Sequence, residues 1–338
     1  MCMKDKHCDT HISLHSVGIQ SQGCLKDNQW LQSINIPSYQ SIEHPNIYVD
    51  LPTVKITHIR NVAHGQFGYI DLALYETADS SKEIYIKRPI IHGYSLLREA
   101  CVQKLVGDNL GKIGYRNGAP TVVSIFKLRN RSICFGMEQI EGACTLDKYL
   151  ESVPSNQISN VIIDCLLQLC GMKTFLTNTL GMNHRDLKPS NCLIVERNTA
   201  ETRFITVENE VIEILTKRSI TLIDFGFACI GSPVTHQSYL SLSTVYPKLD
   251  PCPKEGRDMY VFIGLLYIDY HMKLPPNLVA LFESWLEVPG SNLCTLMRKD
   301  NENSKKWLYF MAGNEQILSF NSCPKRIIRD LTHMFIAC

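Results

Sequence analysis

Eight consecutive residues set the tightest limit on this chain: His184-Arg185-Asp186-Leu187-Lys188-Pro189-Ser190-Asn191. They put a carboxylate, an ammonium and a carboxamide within six positions. Pro189 fixes its own φ and pushes Lys188 out of helical geometry, so the run is an extended polar loop. Upstream, Gln157 to Leu176 is apolar almost all round and reads as a long buried helix. Downstream, Cys192-Leu193-Ile194-Val195 reads as a strand. The three polar side chains suit one kind of chemistry. Asp186 can accept or orient the proton of an attacking hydroxyl. Lys188 can reach a transferring phosphoryl group, and Asn191 offers a neutral oxygen to a hard cation such as Mg²⁺.

Moving the γ-phosphoryl group of ATP requires held phosphates, Mg²⁺ coordinated by oxygens, and a hydroxyl near a carboxylate. Three further segments supply the other parts. Gly65-Gln66-Phe67-Gly68 follows a strand and leads into Tyr69-Ile70-Asp71-Leu72-Ala73. Glycines let backbone amides close over phosphate oxygens, although two glycines three apart also make an ordinary hairpin turn. Lys87 ends the apolar run Ile84-Tyr85-Ile86-Lys87, where a lysine by itself would reach for solvent. Asp224-Phe225-Gly226 follows the β-run Ile220-Thr221-Leu222-Ile223 and offers a carboxylate to a metal. Taken alone, that tripeptide is a common turn.

In this chain order the segments resemble the motifs of eukaryotic-type protein kinases, over roughly Lys55 to the C-terminus. The resemblance implies an α+β, two-lobed fold with a β-rich N-lobe and a mainly helical C-lobe. It implies that Ala63, Gly65, Gly68 and Ile70 form the turn over ATP, with Ala63 where the family has its first glycine and Ile70 where it has valine. Lys87 would contact the α- and β-phosphates. Its partner would be Glu99, the only carboxylate between Lys87 and Asp108. Cys134 to Gly142 resembles the stretch that leads into the hinge, with Met137 as gatekeeper and the backbone of Glu138 and Ile140 meeting adenine. Outside that reading, Met137 is a buried methionine ending a strand. Asp186 and Lys188 would be catalytic, and Asn191 and Asp224 would hold Mg²⁺. Lys188, two residues after the aspartate, is the Ser/Thr form of the motif. The expected activity is therefore ATP- and Mg²⁺-dependent phosphorylation of protein substrates on Ser/Thr hydroxyls. The rival expectations are a pseudokinase-like scaffold that binds nucleotide and partner proteins without efficient catalysis, and a small-molecule kinase of related fold.

Departures from the family pattern are informative. No Ala-Pro-Glu closes the activation segment, which reads Ser243-Thr244-Val245-Tyr246-Pro247-Lys248-Leu249-Asp250-Pro251. In the family that glutamate pairs with a late arginine and braces the segment, so the resemblance does not carry over that brace or the peptide-docking surface it supports. Arg185 could meet a phosphate on Ser238, Tyr239, Ser241, Ser243 or Thr244, or could make structural contacts only. Asp258 resembles the aspartate that anchors the catalytic loop. Only 80 residues follow it, a trimming that resembles divergent kinases of large DNA viruses.

Residues 1–50 lack a clear period and read as an extension, partly disordered or packed on the main domain. Cys2, His7, Cys8, His11 and His15 within it match no closed zinc module. Residues 51–338 form the expected kinase domain, with the N-lobe at about 51–141 and the C-lobe at about 142–338. The N-lobe strands are expected at Val54–Ile59, Tyr69–Tyr75, Glu83–Lys87, Thr121–Lys127 and Ser132–Glu138, with a helix at Ser95–Val106. Residues 196–218 read as an insertion forming a solvated loop.

The chain is 45% hydrophobic and 20% charged, the balance of a folded globular protein. Its net charge of +1 gives no global field toward nucleic acid or a membrane surface. No apolar run is long enough to be read as a membrane span, and Met1 to Thr10 has no apolar core of a secretory signal. The 14 cysteines are scattered through apolar stretches and read as reduced and mostly buried. That composition predicts an intracellular protein of the cytoplasm or nucleus, in a host cell if the chain is viral.

Overall fold

The computed structural model describes residues 47–50, 53–65, 68–128, 130–207, 210–232, 234–242, 251–288 and 293–336. The cysteines and histidines near the N-terminus, and Ser243 and Thr244, lie outside the described residues. The chain divides into two units. The first runs to Asp108 and resumes over Ala119–Glu141; the second comprises Asn109–Gly118 and everything from Gly142 on.

The first unit is a six-stranded antiparallel sheet: β1 (Ile47–Asp50), β2 (Val54–His64), β3 (Gly68–Thr77), β4 (Ser81–Pro89), β5 (Val122–Lys127) and β6 (Ile133–Glu138), in the order β1-β2-β3-β4-β6-β5. Successive side chains alternate between its faces. Ile56, Ala73, Ile84, Ile86, Phe126 and Cys134 form one buried cluster. Phe135 and Val122 form another with Leu96 and Ala100 at the start of helix α1 (Leu97–Lys112). The extension expected to end at residue 50 thus contributes a strand. Ile47–Asp50 pairs with β2 because Val49 is apolar enough to bury in the first cluster.

Buried Asp71 on β3 ties this sheet together. It accepts from Tyr48 Oη at 2.5 Å, from Asn61 Nδ2 at 3.0 Å and from the Arg88 guanidinium. Burial would raise its pKa, but these donors and the Arg88 charge hold it below the usual carboxylate range.

The second unit is mainly helical. Its helices are α2 (Leu146–Ser152), α3 (Ile158–Leu180), α4 (Arg257–Tyr270), α5 (Pro276–Leu286), α6 (Leu293–Lys299), α7 (Asn301–Gly313) and α8 (Pro324–Ile336). Helix α3 is long and apolar enough to cross a membrane by length and composition, which corrects the reading that no run reaches that length. It is the core helix of this unit, most of it buried against the other elements. Gly181 stops it in left-handed geometry at φ 59°.

Two small sheets flank the polar run. One has the order β10-β9-β7, from β7 (Cys144–Thr145), β9 (Cys192–Val207) and β10 (Glu210–Leu222). The other has the order β12-β11-β8, from β8 (Met182–Asn183), β11 (Cys229–Gly231) and β12 (Ser238–Ser241). Where a solvated loop is expected at 196–218, β9 and β10 continue as one ribbon, paired from Leu222↔Cys192 to Arg218↔Glu196 and, past a register shift, from Thr216↔Glu201 to Glu210↔Val207. The reason is period-two burial on its inner face, where Ile205 and Val207 are buried, Ile205 against Gly171 of α3. The exposed residues 196–202 supply the polar composition that suggested a loop, while Phe204, Val211 and Leu215 farther along the ribbon are apolar and also exposed.

A second correction concerns the thiols. Cys229 on β11 and Cys252 form a disulfide, so these two are not reduced. Among the described residues, Cys134, Cys165, Cys170 and Cys192 are buried thiols outside that disulfide, whereas Cys144, Cys294 and Cys323 are only partly buried.

Candidate active site

In the first unit, β2 and β3 bring Ala63 opposite Ile70, and Gly65 N–H donates to Gly68 O at 2.8 Å. Gly68 must be glycine: a Cβ there would come within 2.8 Å of the Arg88 carbonyl on β4. Ile70 in turn pairs with Lys87 across β3 and β4. Lys87 Nζ lies 2.5 Å from Glu99 Oε1, both largely buried, with Glu99 in the first turn of α1. The short connection from Lys87 to α1 holds because Ile133 backbone groups tie its end: Leu96 N–H donates to Ile133 O, and Ile133 N–H to Tyr94 O.

Met137 and Glu138 end β6. Gln103 Nε2 of α1 sits 3.5 Å from Met137 Sδ and donates to Pro120 O at 2.9 Å. Glu138 N–H donates to Thr121 O at 2.9 Å, and its carboxylate pairs with Lys82 at 2.7 Å. The Lys82 hydrogen bond lowers the Glu138 pKa, and Ile140 follows just past the strand.

The second unit builds its cluster on the loop between β8 and β9. Lys188 is extended at φ −148°, ψ 160°, as Pro189 requires, and Pro189–Asn191 makes one 3₁₀ turn. Lys188 Nζ meets Asp186 Oδ2 at 2.8 Å. Asn191 Nδ2 donates to the same Oδ2 and to Asp186 O, both at 2.9 Å. With its amide nitrogen so committed, Asn191 has its carbonyl oxygen left for a cation. Asp224 is tied to this turn through its neighbour, since Ile223 N–H donates to Asn191 O at 3.1 Å. The Asn191 amide oxygen and the Asp224 carboxylate are hard donors of the kind Mg²⁺ takes. Arg185 and Asp224 adopt positive φ, 67° and 63°. Such geometry costs non-glycine residues roughly 1–3 kcal/mol each and persists where neighbours over-determine it.

The neighbours are identifiable. Asp258, in the first turn of α4, accepts from His184 N–H at 2.8 Å and from Arg185 N–H at 2.9 Å. It does what the sequence suggested for it, and it has a partner the sequence reading missed. Lys173, from the middle of α3, lies 2.5 Å from Asp258 Oδ2 and also donates to Met182 O at 3.1 Å. Burial alone would raise the Asp258 pKa; Lys173, Arg257 and His184 more than offset that and hold the carboxyl well below its ordinary range. The available signal was a lone lysine in an apolar helix, which needs a buried anion. Burial lowers the pKa of His184, whose Nε2 lies 3.0 Å from Ile223 O and whose ring packs on Phe225.

Lys254 and Arg257, near the start of α4, tie several parts of this unit together. Asn183 makes a two-way bond with the Lys254 backbone, at 2.6 and 3.1 Å. Lys254 Nζ, fully buried, donates to Ala312 O and Asn314 O at the end of α7. Arg257 Nε donates to Ala312 O while its Nη1 donates to Arg185 O. The Cys229–Cys252 bridge closes the same region. Arg185 Nη1 donates to Ser241 Oγ at 2.8 Å, so of the hydroxyls named for it Ser241 is in contact. Tyr309 of α7 donates to Asp186 Oδ1 at 3.3 Å, another contact that sequence reasoning did not find.

No family model matches the chain, and no curated protein matches it. Among solved structures it is similar to one titled "Crystal structure of BubR1 kinase domain", with a TM-score of 0.51 and 14% identity, over 91% of this chain and 98% of that one. At that identity the likeness speaks for the fold alone: this chain has a protein-kinase-like, two-lobed α+β fold.

Proposed function

We propose that this protein transfers the γ-phosphoryl group of ATP to Ser/Thr hydroxyls of protein substrates, with Mg²⁺. The observation that carries this reading is the condition of the Asp186 carboxylate. Lys188 and Asn191 hold one of its oxygens, which presents the other to a hydroxyl donor. Asp186 Oδ1 takes the hydrogen bond of the acceptor hydroxyl and draws off its proton. The hydroxyl oxygen bonds to the γ-phosphorus, the bond to ADP breaks, and Lys188 stabilises charge on the phosphoryl oxygens. Proton handling of this kind contributes roughly 10²–10⁴ in rate. Lys87, oriented by Glu99, holds the α- and β-phosphates. The Glu138 carbonyl and Ile140 N–H take the adenine edge beside Met137. Asn191 and Asp224 hold Mg²⁺, which when bound neutralises phosphate charge.

One observation favours a second reading, a nucleotide-binding scaffold with little transfer. The Gly65 amide is committed to Gly68 O within its own turn, and Ala63 stands at the first-glycine position. Both weaken the cradle for phosphates. Radiolabelled transfer from ATP to a Ser/Thr peptide library, with and without Mg²⁺, separates the two. Mg²⁺-dependent transfer supports the kinase reading; ATP binding without transfer supports the scaffold.

A further inference from the structure

The second unit places a hydroxyl of its own on Asp186. Among the described residues, Asp186 Oδ2 takes Lys188 and Asn191, and Oδ1 takes the Tyr309 hydroxyl at 3.3 Å. Resting on the phosphotransfer reading above, we propose that Tyr309 is a specificity-determining residue of the acceptor site: its hydroxyl occupies the place on Asp186 Oδ1 that the acceptor hydroxyl must take.

The placement of Tyr309 is built into the fold. Its helix α7 is capped by Asp300, whose carboxylate accepts from Asn303 N–H at 3.0 Å. Leu308, next to it in sequence, is buried against Gly264 of α4, where there is no room for a Cβ. Lys254 and Arg257 grip the carbonyls at the far end of α7. Arg257 also holds the carbonyl of Arg185, the residue before Asp186. One guanidinium therefore fixes both the helix that carries Tyr309 and the loop that carries Asp186. At 3.3 Å the contact is longer than the usual O–H···O bond of up to about 3.0 Å and is weak, so an incoming hydroxyl can displace it.

The consequence is competition for a single oxygen. An acceptor that brings a hydroxyl must replace the Tyr309 bond, whereas an analogue without one does not. In Tyr309→Phe, the KM for a serine peptide is expected to fall about five-fold, the equivalent of about 1 kcal/mol. The Ki of the same peptide with alanine in place of the acceptor serine is expected to stay where it is, since that peptide never contests Oδ1. An unchanged serine-peptide KM overturns the inference. So does an equal fall in the alanine-peptide Ki, which would mean that bulk and not the hydroxyl was in the way. Absence of transfer by the unsubstituted protein would instead overturn the phosphotransfer reading and take this inference with it.

Discussion

Replacing Lys173 by methionine tests how the loop that carries Asp186 is held. Lys173 and Asp258 are both almost fully buried, and their charged atoms are 2.5 Å apart. Methionine keeps the stem of the side chain and removes the ammonium. Asp258 then keeps its two backbone donors, at 2.8 and 2.9 Å, without its nearest cation. Breaking one side of a buried pair costs about 3–5 kcal/mol. The two surviving N–H bonds put this site at the lower end, about 3 kcal/mol. For a chain of 338 residues that is a fall in Tm of roughly 4 °C.

The pH dependence has a definite sign. In the unsubstituted protein the Asp258 pKa is lowered in the folded state, with burial overcome by Lys173. Its contribution is therefore present above the unfolded value of about 4 and is lost as pH falls through the folded one. In the variant, burial is no longer overcome by Lys173 and the folded pKa rises. The penalty is then largest near neutrality and shrinks on acidification as the carboxyl takes up a proton. Urea unfolding of both proteins at pH 7.5 and pH 4.5 reads the difference directly. A midpoint unchanged at pH 7.5, or a penalty that grows at pH 4.5, would refute the reasoning.

Two further outcomes follow from the same contacts. Glu99→Gln keeps a hydrogen bond to Lys87 but removes the charge that orients it; at about 1 kcal/mol the KM for ATP should rise roughly five-fold in steady-state kinetics. Asn183→Ala leaves a buried N–H and C=O of Lys254 without their side-chain partners and should cost about 3 kcal/mol in urea unfolding, while Asn183→Asp, which keeps the acceptor, should cost less.

The sequence carried some of this site better than other parts, for physical reasons. The sequence placed Lys87, Asp186, Lys188, Asn191 and Asp224 next to strand ends or a proline and Glu99 as the only carboxylate between Lys87 and Asp108. The contacts of Lys87 with Glu99 and of Asp186 with Lys188 and Asn191 follow from that local placement. The sheet of the first unit was legible from its alternation, although β2 runs on to His64, beyond the apolar residues that suggested it. Contacts between residues distant in the chain were not legible. Asp258 meets Lys173, Lys254 meets Ala312, and Tyr309 meets Asp186 across 123 positions. Only the packing of α3, α4 and α7 brings these together. The β9–β10 ribbon was hidden for a different reason: residues 196–202 are exposed and mostly polar, and that stretch by itself looks like a loop.

The central claim is that Asp186 takes the proton of an acceptor hydroxyl. Initial-rate measurement of phosphate transfer from Mg²⁺-ATP to a serine peptide, comparing the unsubstituted protein with Asp186→Asn, tests it most directly. The substitution keeps the size of the side chain and removes the base, and the rate is predicted to fall by roughly 10²–10⁴ with ATP affinity retained. Transfer by Asp186→Asn within about three-fold of the unsubstituted rate would contradict the account.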